Sequence, residues 1–313
     1  MRILVTGGAG YVGSVMTGML LGAGHEVRVL DSLRKGGTGI LPLFANPRLE
    51  FVRGDVRDEG TVKDALDGVE AIIHLAAIVG FPACQRDPWA ARQINVDATV
   101  LLDQLRRRDQ LILFGSTLSN YGAMPGVICT EETEPAPLTL YGITKVEAER
   151  LLLKAGNVIV FRPATAFGLS PLMRLDLLAN DFVFRALNEG RLVVYQPEFM
   201  RVFLHVRDFS RAFLFALEHR QAMRDRVFNL GDESLNLTKG DLALKVQKVV
   251  PSCRVEFAEV GEDPDRRNYA VDFSRLRALG FRFQVSVEDG IEELARGLRV
   301  LDLPNPWSNA AGQ

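Results

Sequence analysis

Tyr141 and Lys145 stand four residues apart in Tyr141-Gly142-Ile143-Thr144-Lys145, a spacing that puts two side chains on one face of a helix. A phenol with a reference pKa near ~10 is a poor base at neutral pH, but an adjacent ammonium and a positive nicotinamide favour its phenolate. Such a pair can move a proton to or from a hydroxyl while hydride moves to or from a nicotinamide ring. Upstream, Gly115-Ser116-Thr117 offers a strand-end hydroxyl to the same reacting oxygen. By itself a Tyr and a Lys at this spacing is common on solvated helices. The redox reading therefore needs a dinucleotide site elsewhere in the chain.

Thr6-Gly7-Gly8-Ala9-Gly10-Tyr11-Val12-Gly13 follows a short apolar run, with Gly7, Gly10 and Gly13 in a G-x-x-G-x-x-G spacing. Glycine is required where the turn is tight, where backbone approaches pyrophosphate and where the helix packs close to the strand, and the helix N-terminus then favours the phosphates. Asp31 ends the next apolar run, where a carboxylate can accept from both adenosine ribose hydroxyls and repels a 2′-phosphate. That favours NAD over NADP. Arg34 and Lys35 follow closely and keep NADP open. Asp55-Val56 and Leu75-Ala76-Ala77 end two further runs, at the carboxyl edge where open α/β sheets bind ligands. The small alanines would let the dinucleotide lie close to backbone, or simply pack tightly. Tyr11, Val12, Ser32, Asn95 and Pro163 complete the expected cofactor contacts, and His74 reads as a core or strand-end histidine.

The elements that must position these groups alternate through the first half. Strand-like runs cover Ile3 to Val5, Glu26 to Leu30, Glu50 to Arg53, Ala71 to His74, Leu111 to Phe114 and Val158 to Phe161. Most are uninterrupted apolar runs, as expected of parallel strands covered on both faces. Between them Gly13 to Ala23, Thr61 to Leu66, Trp89 to Arg107 and Tyr141 to Lys154 have helical spacing. The order predicts an α/β fold, a Rossmann-type doubly wound parallel sheet with right-handed crossovers, and a smaller C-terminal α/β substrate domain. The dinucleotide domain is expected over 1–165 with a returning strand near 227–231, the substrate domain over 166–226 and 232–302, and a frayed tail over 303–313. Helices are expected near Leu177 to Leu187, Asp208 to Leu217, Lys239 to Val249 and Val287 to Arg296.

Composition bounds the partners. The 313 residues include 37 basic and 39 acidic side chains, a net charge of -2, so no bulk field recruits nucleic acid or acidic membrane. Apolar residues make up 47% and mean hydropathy is +0.07, enough for a substantial core. No apolar run reaches spanning length and no signal peptide precedes the glycine turn, so a cytoplasmic protein is expected. Cys84, Cys129 and Cys253 are widely spaced and form no metal-type pair, so no metal is expected.

With these motifs assembled, the chain resembles an extended short-chain dehydrogenase/reductase of the NAD-dependent sugar-nucleotide epimerase/dehydratase family, from Met1 to about Leu298. In Ser116-Thr117-Leu118-Ser119-Asn120-Tyr121-Gly122 the resemblance points to Thr117 as the catalytic hydroxyl beside Tyr141 and Lys145, with Ser116 its neighbour. The 4,6-dehydratases of this family carry acidic residues just after the threonine. Leu118 and Ser119 occupy those places and cannot do carboxylate acid/base work. The family's 3,5-epimerases use a cysteine where Leu118 stands. Cys84 either approaches the nicotinamide from another side or is a packed loop cysteine.

What the resemblance implies is an NAD-dependent nucleotide-sugar epimerase acting at C4 through a transient 4-keto-sugar. A 4-keto-reductase using NADH or NADPH needs the same residues, and an atypical dehydratase is a further enzyme alternative. A dinucleotide-sensing regulator is the non-enzyme alternative, against which the retained Tyr141 and Lys145 speak. The smaller domain is expected to grip a nucleotide-diphosphate sugar. Arg201 in Arg201-Val202-Phe203-Leu204-His205-Val206 matches the family's phosphate-pairing arginine, although Val202 replaces an acidic residue. Thr165, in Arg162-Pro163-Ala164-Thr165-Ala166-Phe167-Gly168, replaces a diphosphate-contacting asparagine; Arg174 and Asn180 either compensate or serve solvation and helix capping. The family's late arginine falls on Val260, and Arg266 or Arg267 could serve instead. The resemblance also implies a homodimer paired through Trp89 to Arg107 and Tyr141 to Lys154.

Overall fold

A computed structural model describes residues 1–258, 268–301 and 303 of the chain. Seven apolar runs form one sheet: β1 (Arg2–Thr6), β2 (Glu26–Asp31), β3 (Leu49–Arg53), β4 (Ala71–His74), β5 (Leu111–Gly115), β6 (Val158–Pro163) and β7 (Arg226–Leu230). Their order across the sheet is β7-β6-β5-β4-β1-β2-β3, and every pairing is parallel. Strand β7 is the expected returning strand, placing Val227 opposite Val160. The order reverses between β1 and β4, the switch point outside which such sheets bind ligands. β4 is buried throughout, and β5 and β6 at all but their last residue, because helices cover both faces. Edge strand β3 has no fully buried residue.

Two glycines set the first turn. Gly7 has φ +73°, where a side chain would be strained, and a Cβ on Gly13 would stand 2.1 Å from the Gly7 carbonyl oxygen. Helix α1 (Tyr11–Gly22) can therefore start directly against the end of β1. Helix α2 (Leu140–Ala155) opens at Thr139, whose hydroxyl accepts from the Gly142 N–H at 3.2 Å and fixes where Tyr141 enters the first turn.

The single helix expected from Trp89 to Arg107 is broken into Pro88–Arg92, a π-helical turn at Gln93–Asp97 and Ala98–Leu105. The wide turn carries Asn95 inward, a use typical of such bulges. The second half also holds more strand than the sequence suggested. Thr165–Phe167, Met200–His205 and Asn236–Thr238 form a three-stranded sheet, and Arg191–Tyr195 pairs with Arg254–Ala258. These runs are short and pair across long stretches of chain, so no local periodicity announces them. Ala123–Cys129 pairs with Asn268–Val271, which crosses the division expected at residue 165. The core does too: one buried cluster joins Ile3, Val5 and Phe161 to Phe167, Phe203 and Leu294. Phe161 and Phe213 meet with ring centroids 4.7 Å apart.

Candidate active site

A cleft of about 940 Å³ runs along the carboxyl ends of β2, β5 and β6 and the loops that follow the strands. At one part of its wall lie Gly7, Gly10, Tyr11, Val12 and Gly13. A Cβ on Gly7 would approach the Ala76 nitrogen to 2.8 Å, so the turn and the loop after β4 touch backbone to backbone. Among the described residues no side chain caps the start of α1. Its first-turn N–H groups and the helix dipole thus suit a pyrophosphate. Asp31 and Ser32 line the cleft beyond β2, along with Arg34 and Lys35. The Asp31 carboxylate accepts from the Ala9 N–H at 3.0 Å and the Leu33 N–H at 2.8 Å, which fixes its direction. Val56, Leu75, Ala76, Ala77 and Pro163 line the same space, as does Asp55. Arg57 grips Asp55 at 2.7 and 3.0 Å and holds that carboxyl below its usual range.

Two expected contacts are elsewhere. Asn95 does not line the cleft; its amide accepts from the Ile78 N–H at 2.8 Å and donates to the Ile78 carbonyl at 3.0 Å, bracing the loop after β4. Asn180, fully buried, is likewise not a wall residue but a hub behind it. Both have long-range partners, 17 residues away for Asn95 and 169 for the bond between Asn180 and Tyr11, which no local pattern reveals.

Thr117, Tyr141 and Lys145 come together in the cleft from three places: the turn after β5 and two successive turns of α2. The Thr117 hydroxyl donates to Ser119 Oγ and accepts from the Ser119 N–H, both at 3.1 Å. Lys145 is 3% exposed, with Nζ 4.0 Å from the centroid of the Phe114 ring. Burial pushes its ammonium down to about 7, against the pull of the Glu149 carboxylate. Ser116 lines the cleft, but its hydroxyl proton goes to Glu149 Oε2 at 2.6 Å, and it accepts from Asn120 Nδ2 at 3.0 Å. Glu149 in turn receives Arg162 at 2.5 and 3.1 Å, and Arg162 donates to the Tyr121 hydroxyl at 2.9 Å. This buried chain ties β5, α2 and β6 together; of its members only Ser116 was singled out as a site residue from the sequence.

Other candidates resolve by burial. His74 is bonded through both ring nitrogens, to Thr6 at 2.7 Å and Thr99 at 3.0 Å. Thr99 gives its own proton to the Asn95 carbonyl, so His74 Nε2 carries the hydrogen, and burial pushes the ring down to about 3. Cys84 is fully buried, donates to the Ile78 carbonyl at 3.3 Å and is pushed up to about 12 by burial. That is a packed, unreactive thiol. Leu118 is buried in the core, while Ser119 lines the cleft.

The remaining wall comes from the second half. Thr165, Arg174 and Arg201 line it. Arg174 is clasped by Asp176 at 2.6 and 3.0 Å, a partner the sequence reading missed. Asp181, also missed, lines the cleft with its carboxyl pushed up to about 6 by burial. Arg201 donates to the Met200 carbonyl at 3.0 Å. Val260, Arg266 and Arg267 lie outside the described residues, as does the tail from Pro304. Among the described residues no cluster of three His, Cys, Asp or Glu is placed to hold a metal, and no helix is long and apolar enough to cross a membrane.

Comparison with known proteins follows the same lines. Residues 3–231 match the model of the NAD dependent epimerase/dehydratase family. A UDP-glucose 4-epimerase of Corynebacterium glutamicum is 31% identical, covering 81% of this chain and 80% of its own length. A dTDP-glucose 4,6-dehydratase of Streptomyces niveus is 30% identical over 96% of this chain and 93% of its own. Among solved structures, the UDP-glucose 4-epimerase of Thermus thermophilus in complex with NAD superposes with a TM-score of 0.83 at 25% identity, over 96% of this chain and 99% of that one.

Proposed function

Because the chain belongs to the NAD dependent epimerase/dehydratase family, and so is an enzyme whose cofactor is NAD, we propose that it epimerises a nucleotide-diphosphate sugar at C4 through a transient 4-keto-sugar. The observation that carries this reading is the turn after β5. Thr117 reaches the cleft together with Tyr141 and Lys145, whereas the two places where a dehydratase needs carboxylates hold Leu118, turned into the core, and the neutral hydroxyl of Ser119. Glu149 cannot substitute, since its oxygens are committed to Arg162 and Ser116. Elimination of water then lacks its acid and base, while transfer at a carbinol lacks nothing.

In this reading Tyr141 accepts the C4 hydroxyl proton and later returns it. Lys145, in its protonated form, supplies positive charge beside the phenol and binds a ribose hydroxyl. Thr117, whose proton goes to Ser119 Oγ in this structure, turns that proton to the reacting oxygen, in both its hydroxyl and carbonyl forms, when the sugar is bound. Bound NAD supplies a reversible hydride acceptor. Gly7 and Gly13 close the turn against the start of α1, Gly10 lets the pyrophosphate approach backbone, and Asp31 holds the adenosine ribose. Thr165, Arg174 and Arg201 face the nucleotide sugar; Arg174 reaches it with its orientation set by Asp176. Exposed Trp89 and Leu151, on helices joined by the Arg92–Glu147 ion pair, support pairing of two chains on that face.

The test is incubation of purified protein with UDP-glucose, UDP-glucuronic acid and dTDP-glucose without added cofactor. The proposal expects one of them to equilibrate with its C4 epimer. Stoichiometric consumption of added NADH or NADPH by a keto-sugar would instead establish the reductase, and loss of water from the sugar the dehydratase.

A further inference from the structure

The cofactor turn and the substrate wall are not independent. Tyr11, the first residue of α1, is 5% exposed, and burial holds its phenol above the usual ionisation range, so it remains a proton donor. That proton goes not to the cleft but to the Gly168 carbonyl at 2.7 Å. The Tyr11 hydroxyl oxygen in turn accepts from Asn180 Nδ2 at 3.1 Å. The second hydrogen of Asn180 Nδ2 goes to the Arg174 carbonyl at 2.8 Å, and Asn180 Oδ1 accepts from the Gly168 N–H at 3.0 Å.

A parallel set of bonds runs through backbone. Ser170 Oγ donates to the Tyr11 carbonyl at 2.6 Å and accepts from the Leu172 N–H at 3.3 Å. Having one proton, Ser170 must be the acceptor of its 3.2 Å contact with Ser14. Every donor of the Asn180 amide is used once, so the arrangement has little freedom to slip; a buried polar group left unpaired would be costly. Helix α3 (Leu178–Asn188) supplies Asn180 near its start, so the bridge also fixes where that helix begins.

From this we infer that Tyr11, although it belongs to the cofactor turn, is a positioning residue for the nucleoside-diphosphate half of the cleft, acting through Asn180 and Gly168 on the segment that carries Arg174. The inference rests on the proposed reading that this half binds a nucleoside diphosphate. Its physical content is coupling. Whatever fixes the start of α1, including a pyrophosphate on its N–H groups, also fixes the 168–176 segment, and by reciprocity a diphosphate held by that segment steadies the cofactor turn.

The experiment measures affinity of the NAD-loaded enzyme for UDP and dTDP by titration calorimetry, in wild type, Tyr11→Phe, Asn180→Ala and the double variant. Tyr11→Phe keeps the ring and removes one hydroxyl. It should weaken binding about 3- to 10-fold, the range of one buried hydrogen bond, and raise substrate KM while kcat changes less than about twofold. The double variant should bind no more weakly than Asn180→Ala alone, because both remove one linkage. Ser170→Ala cuts the backbone side of the bridge and should weaken binding in the same direction, which guards against misfolding of any single variant. Wild-type binding that Tyr11→Phe and Ser170→Ala both leave intact, or fully additive effects in the double variant, would overturn the inference alone. Wild-type protein that bound neither nucleotide would overturn the proposed function and this inference with it.

Discussion

Replacing Lys145 by methionine is expected to abolish turnover and yet make the protein more stable, by a margin that shrinks as pH rises. The ammonium is buried against the Phe114 ring, and its pKa falls from 10.5 to about 7 in the folded chain. A lowered cation pKa means that the unfolded chain holds the proton more tightly. Below pH ~7 both states are protonated and the folded state bears the full cost of burying the charge. Between ~7 and ~10.5 only the unfolded state keeps the proton, so wild-type stability climbs with pH, and above that range the cost is gone. With about 1.4 kcal/mol per pH unit, the cost is about 5 kcal/mol at pH 6 and about 2 kcal/mol at pH 9. Lost contacts of the lysine shift the variant by an amount that does not depend on pH, so the informative quantity is the change in the gap. A chain of this length gains about 1.5 °C in Tm per kcal/mol. The Tm advantage of Lys145→Met over wild type, measured on cofactor-free protein, should therefore shrink by about 4 °C between pH 6 and pH 9. A gap that stayed constant or widened with pH would refute the burial argument.

Three further outcomes follow from the same geometry. Glu149→Gln leaves the Arg162 guanidinium buried without its anion and should cost about 3–5 kcal/mol in denaturant unfolding, whereas the double change Glu149→Leu with Arg162→Met should cost clearly less. Gly13→Ala, whose Cβ would stand 2.1 Å from the Gly7 carbonyl oxygen, should purify without NAD by absorbance and mass, while wild type retains it. Cys84 should resist thiol reagents in the native protein at pH 8 and react only on unfolding, and Cys84→Ser should keep turnover, since the thiol is pushed up to about 12 and faces the Ile78 carbonyl.

The parts of this molecule that were legible in sequence are those whose physics is local. Gly7, Gly10 and Gly13 declare a turn because each answers a steric demand within seven residues. Most of the sheet strands are readable because burial on both faces leaves continuous apolar runs such as Ala71–His74, edge strand β3 being the exception. Tyr141 and Lys145 are readable because one helix carries both. Legibility ends where a side chain's partner is distant in sequence. Asn95 and Asn180 resemble ligand-facing amides but are occupied with Ile78, Tyr11 and Arg174. Ser116 resembles a second catalytic hydroxyl, yet its proton belongs to Glu149, a residue that on α2 reads as a solvated charge until Arg162 is brought against it. The π turn at Gln93–Asp97 leaves the apolar spacing of its helix nearly intact and so is silent in the pattern.

The central claim, that hydride leaves C4 and returns to C4, is tested most directly with nucleotide sugar carrying deuterium at C4. Whichever of UDP-glucose, UDP-glucuronic acid and dTDP-glucose proves to be turned over, the account predicts that its C4 epimer forms with the deuterium still on C4, with no hydrogen taken from solvent at C5 and with Tyr141→Phe slowed by at least about 100-fold. Product lacking the label at C4, or deuterium incorporated at C5 in heavy water, would contradict it.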